Sequence, residues 1–263
     1  MSKLGRAPKG VDASKPNSAR VYDYLLGGRN NYSVDRLVAE QMIEAIPDIR
    51  AIAAANRQFV LLATTTAAQA GVRQFIDLGA GIPTSPAVHE MAQKIDADAR
   101  VVAVDYDPVV QAHANAFLSG VPGVTPILAD ARRPRELIAA LRDRELIDFE
   151  QPIAVLLTGV LHYVMDDEHP AEIIAGYREA MAPGSYLVLS HGSTDTEPTF
   201  LEESAGAAAG SSAQFVYRSH AEIAEYFEGF ELLEPGVAPV QRWLGDDAPA
   251  TRLTMLGGIA RRP

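Results

Sequence analysis

The chain has 263 residues, with 23 lysines and arginines against 34 acidic residues, a net charge of −11 and no cysteine. That length fits one large α/β domain with an appendage, and the lack of cysteine excludes disulfides, thiolate catalysis and cysteine-ligated zinc while suiting a reducing cytoplasm. The acidic balance argues against a phosphate-backbone binder, so nucleic acid is not an expected partner.

Residues 1–16 carry Lys3, Arg6, Lys9 and Lys15 against Asp12, with no apolar run behind them, and read as a mobile arm rather than a signal peptide. Over residues 18–26 the apolar Val21, Tyr24 and Leu25 share one helical face, and Gly27-Gly28 supplies a left-handed exit. Ser33 is expected to cap a second helix carrying Val34, Leu37 and Val38, and Asp48 a third running to Gly71. Residues 17–71 therefore read as an all-helical block, a cap or lid on the rest of the chain.

From residue 72 to 263 short apolar runs alternate with helices, the pattern of a parallel sheet with crossover helices. Strands are predicted at residues 74–78, 101–105, 124–129, 153–157 and 186–190, with helices starting near Pro86, Pro108, Pro134 and Pro170, where proline suits the first turn. Pro126 has no N–H to give a sheet ladder, which puts the third strand at an edge. The longest apolar stretch, residues 153–164, is broken by Thr158, Gly159 and His162 and is too short to span a bilayer; a soluble protein with no membrane partner is expected. Residues 205–212 read as a flexible small-residue loop, Ser219 and Glu222 as a capping box, and residues 230–233 and 253–260 as the last strands. The fold expected is α/β and Rossmann-like: a mostly parallel, seven-stranded sheet with helices on both faces, preceded by the N-terminal helical block.

The chemistry gathers at the carboxyl ends of the strands. The first strand runs into D-L-G-A-G-I-P-T-S at residues 77–85 and then a helix carrying Val88, Met91 and Ile95. Gly79 and Gly81 let the backbone approach a ligand closely, and a helix N-terminus adds oriented N–H groups; the plain alternative is a tight turn with no ligand. Thr84 stands where a dinucleotide fingerprint puts its third glycine, and Pro83 also occupies the turn, which weakens a nicotinamide reading. Asp105 ends the second strand, where a carboxylate accepts both hydroxyls of a ribose, with Tyr106 beside it offering a face to adenine; Asp107 before Pro108 reads as a helix cap. Asp130 ends the third strand, either to accept from an exocyclic adenine amine or to serve as a loop or cap residue. Glycines after strand one and acids after strands two and three describe a site for an adenosine with no pyrophosphate to cradle.

In these residues the chain resembles the class I S-adenosylmethionine-dependent methyltransferases: Asp77-Leu78-Gly79-Ala80-Gly81, Asp105 and Asp130 match that superfamily's first three motifs. P-N-S-A-R-V-Y-D-Y-L-L-G-G-R-N-N-Y at residues 16–32 and L-L-T-G-V-L-H-Y-V-M-D at residues 156–166 are similar to a family of bacterial S-adenosyl methyltransferases first catalogued as proteins of unknown function. The resemblance implies the fold and S-adenosylmethionine as cofactor, and brings no known methyl acceptor. With it, Asp77, Gly79, Ala80, Gly81, Pro83, Thr84, Asp105, Tyr106, Asp130, Ala131, Thr158 and Gly159 are assigned to the cofactor. Tyr22, Arg29 and Tyr32 join them if the N-terminal block folds over as a lid, as does Arg57 if it faces the cofactor carboxylate; a terminated helix and a surface arginine are the plainer readings.

Methyl transfer from a sulfonium is an in-line displacement, so alignment at about 3–3.5 Å and exclusion of water matter most, with a base for some acceptors. His162, in the loop after strand four, is the leading candidate base, against a histidine satisfied by a backbone carbonyl; Tyr163 and His191 are further candidates at the same edge. Asp166, Asp167, Glu168 and His169 are explained by a helix N-terminus, so no metal is expected. A small-molecule acceptor is the expected partner. A nicotinamide-dependent oxidoreductase and a non-catalytic S-adenosylmethionine sensor are the competing readings, and oligomeric state is not read.

Overall fold

The computed structural model describes residues 12, 14–196, 215–245 and 251–263, so most of the expected mobile arm and the whole small-residue loop at 205–212 lie outside the described residues. Three helices come first: α1 (Ser18–Leu25), α2 (Ser33–Ala45) and α3 (Ile49–Gln69). Next come β1 (Gln74–Leu78), α4 (Val88–Ile95), β2 (Arg100–Asp105), α5 (Pro108–Leu118), β3 (Val124–Leu128), α6 (Pro134–Asp143), β4 (Ala154–Thr158), α7 (Pro170–Ala180) and β5 (Tyr186–Gly192). The chain closes with α8 (His220–Glu225), β6 (Glu231–Leu232), β7 (Ala238–Pro239), α9 (Val240–Leu244) and β8 (Met255–Arg261).

The sheet runs β3-β2-β1-β4-β5-β8-β6, with β7 also paired to β8. β1 to β5 are mutually parallel, and β8 lies antiparallel to β5, β6 and β7. β3 is an edge, with Pro126 opposite Ala103 on its one neighbour, as its missing N–H demands. The fold is the expected Rossmann-like one, with eight strands where the sequence predicts seven. β6 and β7 follow one another along the same side of β8, pairing Leu232 with Ala260 and Ala238 with Gly257; β6 is the strand expected at 230–233, and β7, beyond the turn at Gly236, is the additional one.

Alternation along the strands feeds a core on each face. Ile76, Leu78, Val155, Leu157, Leu187 and Leu189 pack with Leu137, Leu141, Ile174 and Tyr177 of α6 and α7 and with Ile223 and Phe227. Phe75, Val101, Leu156 and Val188 pack on the other face with Phe59, Val60, Ala63 and Ala67 of α3 and Val88 and Ala92 of α4. The N-terminal block adds Val21, Leu25, Ala39 and Ala53 as a smaller core.

Helix starts at Pro108, Pro134 and Pro170 match the sequence, Asp107 caps α5 by accepting from Val109 N at 2.7 Å, and the Ser219–Glu222 box opens α8. Three caps differ. Ser33 is already helical, and Asp35 instead takes the N–H of Tyr32 at 2.8 Å. Asp48 gives its carboxylate to Arg252 N at 2.7 Å, so α3 starts without a side-chain cap. The helix expected from Pro86 begins at Val88, because Arg57 donates to the carbonyls of Thr84 (2.6 Å) and Pro86 and keeps that stretch in the turn.

Candidate active site

The turn after β1 is built on two left-handed glycines, Gly79 at φ +67 and Gly81 at φ +65. A Cβ on Gly79 would lie 2.5 Å from Val160 Cγ2, so the turns after β1 and β4 press together there. Around Gly81 the same position meets nothing within 4 Å, which leaves that backbone open to a ligand. Gly81 N donates to Asp105 Oδ2 at 3.0 Å and Asp107 N to Asp105 Oδ1 at 3.0 Å, so the carboxylate at the end of β2 is held by two backbone donors. Each oxygen keeps a lone pair for a further donor. Burial raises the Asp105 pKa and those backbone bonds offset it in part.

Asp77, Ala80, Pro83 and Thr84 line the same crevice together with Arg57, Gly81 and Asp105. The Asp77 carboxylate has no hydrogen bond among the described residues, and burial pushes its pKa up to about 6, with Arg57 pulling down and Asp105 pushing up. Arg57 Nε is likewise buried without a partner. An orphaned acceptor and an orphaned donor thus flank one crevice, a polarity that suits an ammonium and a carboxylate on one ligand.

Asp130 stands at the same sheet edge but already accepts from Arg132 Nε at 2.9 Å and Nη2 at 2.7 Å, and Arg132 also pairs with Glu168 at 2.5 Å. Partial burial raises the Asp130 pKa, but the Arg132 contacts outweigh it and hold the carboxyl below its ordinary value. Tyr106 is 67% exposed, with the Arg132 guanidinium 6.0 Å from its ring centre. Ala131 offers its carbonyl to the Tyr177 hydroxyl at 2.7 Å.

Beyond Thr158, Gly159 N donates to Ser190 O at 3.1 Å, and residues Leu161–Tyr163 form a single 3₁₀ turn. His162 within it is buried, stacked on Phe215 at 4.2 Å and edge-on to Tyr163 at 4.5 Å. Its Nδ1 is buried with no hydrogen-bond partner. Burial, with His191 and Arg218 nearby, holds the His162 pKa well below 6.5, so the ring is neutral. The carbonyl-satisfied alternative therefore does not describe it.

His191, by contrast, has both nitrogens engaged: Nδ1 is 2.8 Å from Gly192 O and Nε2 2.8 Å from Arg218 Nη1. The arginine is a donor, so His191 carries its proton on Nδ1, and burial lowers its pKa to about 4. That geometry gives it a supporting place, not that of a free base. Arg218 is not foreseen in the sequence. It is buried, donates also to Leu161 O at 3.0 Å and Val164 O at 2.8 Å, and pairs with Asp166 at 2.7 Å. Two residues earlier, Val216 N donates to His162 O at 2.9 Å.

The N-terminal block contributes unevenly. Asn56 accepts from Ser190 Oγ at 2.6 Å, and its amide lies 3.4 Å from the Tyr22 hydroxyl, which donates to Ala53 O at 3.2 Å; this links α1, α3 and β5 at the site. Asn17 donates to Asp107 and so ties the start of α1 to the β2–α5 turn. Tyr32 lies beneath the buried Arg20, 4.9 Å from its guanidinium, at the α1–α2 junction, and Arg29 is exposed with no hydrogen bond among the described residues. No described helix is long and apolar enough to cross a membrane, and no cluster of three or more His, Asp or Glu among the described residues is placed to hold a metal ion.

A glycine turn, an acid after β2 and a β3-β2-β1-β4-β5 sheet edge define a Rossmann-like fold built to hold a nucleoside. The sequence profile described as S-adenosyl methyltransferase matches residues 5–263, and the chain belongs to that family, whose cofactor is S-adenosylmethionine. A DUF574-family protein from Streptomyces avermitilis superposes with a TM-score of 0.90 at 34% identity, covering 96% of this chain and 99% of that one. A putative methyltransferase from Thermobifida fusca gives 0.89 at 37% identity, covering 98% of each. The 1,6-didemethyltoxoflavin-N1-methyltransferase of Burkholderia thailandensis shares the fold alone, at a TM-score of 0.51 and 17% identity, covering 97% of this chain and 93% of that one. No protein of curated function matches the sequence.

Proposed function

We propose that this protein transfers the methyl group of S-adenosylmethionine to a small-molecule acceptor, with His162 receiving the acceptor's proton. The observation that carries the reading is the contact of the two turns. Gly79 packs on Val160, two residues from a neutral, unpartnered imidazole, so the cofactor crevice and the candidate base share one edge.

Asp105 would take the ribose hydroxyls, Gly81 would let the backbone pass close, and Asp77 and Arg57 would take the ammonium and carboxylate of the amino-acid end. Tyr106 would offer its ring to adenine, with Asp130 sharing its oxygens between Arg132 and the exocyclic amine. The bound cofactor supplies an electrophilic methyl on a sulfonium. This chain's residues would orient the acceptor, exclude water and take the proton at His162, whose depressed pKa keeps it neutral near pH 7, so that it takes the proton only as the methyl transfer makes the acceptor strongly acidic. Tyr163 and Tyr22 border the acceptor side, and the bonds from Asn17 to Asp107 and Arg57 to Thr84 support helices α1–α3 as a cap over the crevice. A cytoplasmic location rests on the absence of cysteine.

Incubation with methyl-labelled S-adenosylmethionine and a metabolite extract, followed by mass identification of labelled products, tests the reading. A labelled small molecule that disappears with His162→Ala supports it. Tight S-adenosylhomocysteine binding with no labelled product from any extract would favour a sensor.

A further inference from the structure

Four aromatic side chains besides His162 gather on the acceptor side. Phe215 stacks on His162, Tyr163 stands edge-on to both at 4.5 and 4.7 Å, and Tyr217 lies 5.9 Å from Phe215. Tyr22 completes the group, since its hydroxyl, with that of Tyr217, is near enough to Tyr163 to raise its pKa further after burial has done so. Tyr22 and Tyr163 are set deep enough for burial to raise both hydroxyls, yet they leave 37% and 40% of their surface accessible. Accessible surface on a deeply set ring belongs to a recess, not to a convex face. The charges bordering it are already matched: Arg132 with Asp130 and Glu168, Arg218 with Asp166.

From this we infer that the methyl acceptor is a flat, uncharged aromatic molecule carrying a hydroxyl or ring N–H, held among these rings with its proton directed to His162. The inference rests on the methyltransferase reading above. Rings present quadrupolar faces and edges that pair with another ring better than with an aliphatic chain, and neither Arg132 nor Arg218 is left unpaired to anchor an anionic group. On transfer, a lone pair of the acceptor oxygen or nitrogen forms the new bond to the methyl carbon. The carbon–sulfur bond breaks with its electron pair left on sulfur, and the acceptor's proton passes to the His162 imidazole and then to water.

Calorimetry on the full chain saturated with S-adenosylhomocysteine tests this with 2-naphthol, its saturated analogue decahydro-2-naphthol, and benzyltrimethylammonium. The expectation is that 2-naphthol binds at least tenfold more tightly than either comparator. Tyr163→Leu should weaken it about fivefold, while Tyr163→Phe, which keeps the ring, retains wild-type affinity. Equal binding of the saturated analogue, tighter binding of the cation, or a Tyr163→Leu protein that melts like the wild type and binds 2-naphthol unchanged would overturn the inference. Failure of the wild type to bind S-adenosylhomocysteine would instead strike the methyltransferase reading itself.

Discussion

Asp77 and Arg218 carry the sharpest expectations at the scale of single residues. With a pKa of about 6, Asp77 is protonated on the acid side of that value and must ionise to receive an ammonium. Affinity for S-adenosylhomocysteine should therefore fall as pH drops through 6, by about tenfold at one unit below it, with proton release on binding. Asp77→Asn should bind more weakly at neutral pH and lose that dependence, and calorimetry in two buffers of different ionisation heat reads both effects. Arg218 holds two carbonyls that bracket His162 and the Nε2 of His191. Arg218→Met leaves these buried acceptors bare and should cost about 3–5 kcal/mol in a denaturant melt. Nitrogen-detected imidazole spectra should find His191 as the Nδ1–H tautomer in the wild type and a mixture in the variant.

Among the elements, the paired turns after β1 and β4 decide whether a site exists. Gly79→Ala puts a methyl 2.5 Å from Val160 on a backbone at φ +67. The left-handed conformation alone costs about 1–2 kcal/mol, roughly 2–8 °C in Tm for a chain of this size. Separating the turns should also weaken S-adenosylhomocysteine at least tenfold; a melt lowered with binding intact would assign Gly79 to folding alone. These turns were legible in the sequence because glycine and a strand-end acid are local signals, and so was the edge position of β3, which Pro126 fixes by itself. Cap residues were less legible: Asp48 has the right type in the right place, but Arg252, more than two hundred residues away, claims its carboxylate. Arg218 left no local trace, since its partners at Leu161, Val164, Asp166 and His191 meet it only through the tertiary fold. The sequence ranked His162 ahead of His191 as a base, and the bonds of His191 to Gly192 and Arg218 give the physical reason for that order.

Over the whole molecule, burying two neutral histidines links stability to pH. His191, lowered from 6.5 to about 4, and His162, lowered well below 6.5, both favour the fold while neutral. Their contribution is full above pH 6.5 and is lost as pH falls below it, for His191 down to about 4 and by up to about 1.4 kcal/mol per pH unit. Asp77 acts in the opposite sense, since its raised pKa favours the fold at low pH and that preference fades between 3.8 and about 6. Two histidines outweigh one aspartate, so Tm should fall from pH 7 to pH 5, and His162→Gln should flatten the slope by thermal melt. The sheet edge that gathers these groups also gathers Gly81, Asp105 and the Asp107–Asn17 tie, so one ligand there should engage both the β-sheet domain and the helical block. The most direct measurement is titration of S-adenosylhomocysteine into the wild type and Asp105→Ala at pH 7.5. One site per chain, weakened at least tenfold by the substitution in a protein that still melts cooperatively, is the predicted result; no binding to the wild type, or equal affinity in both, would contradict the account.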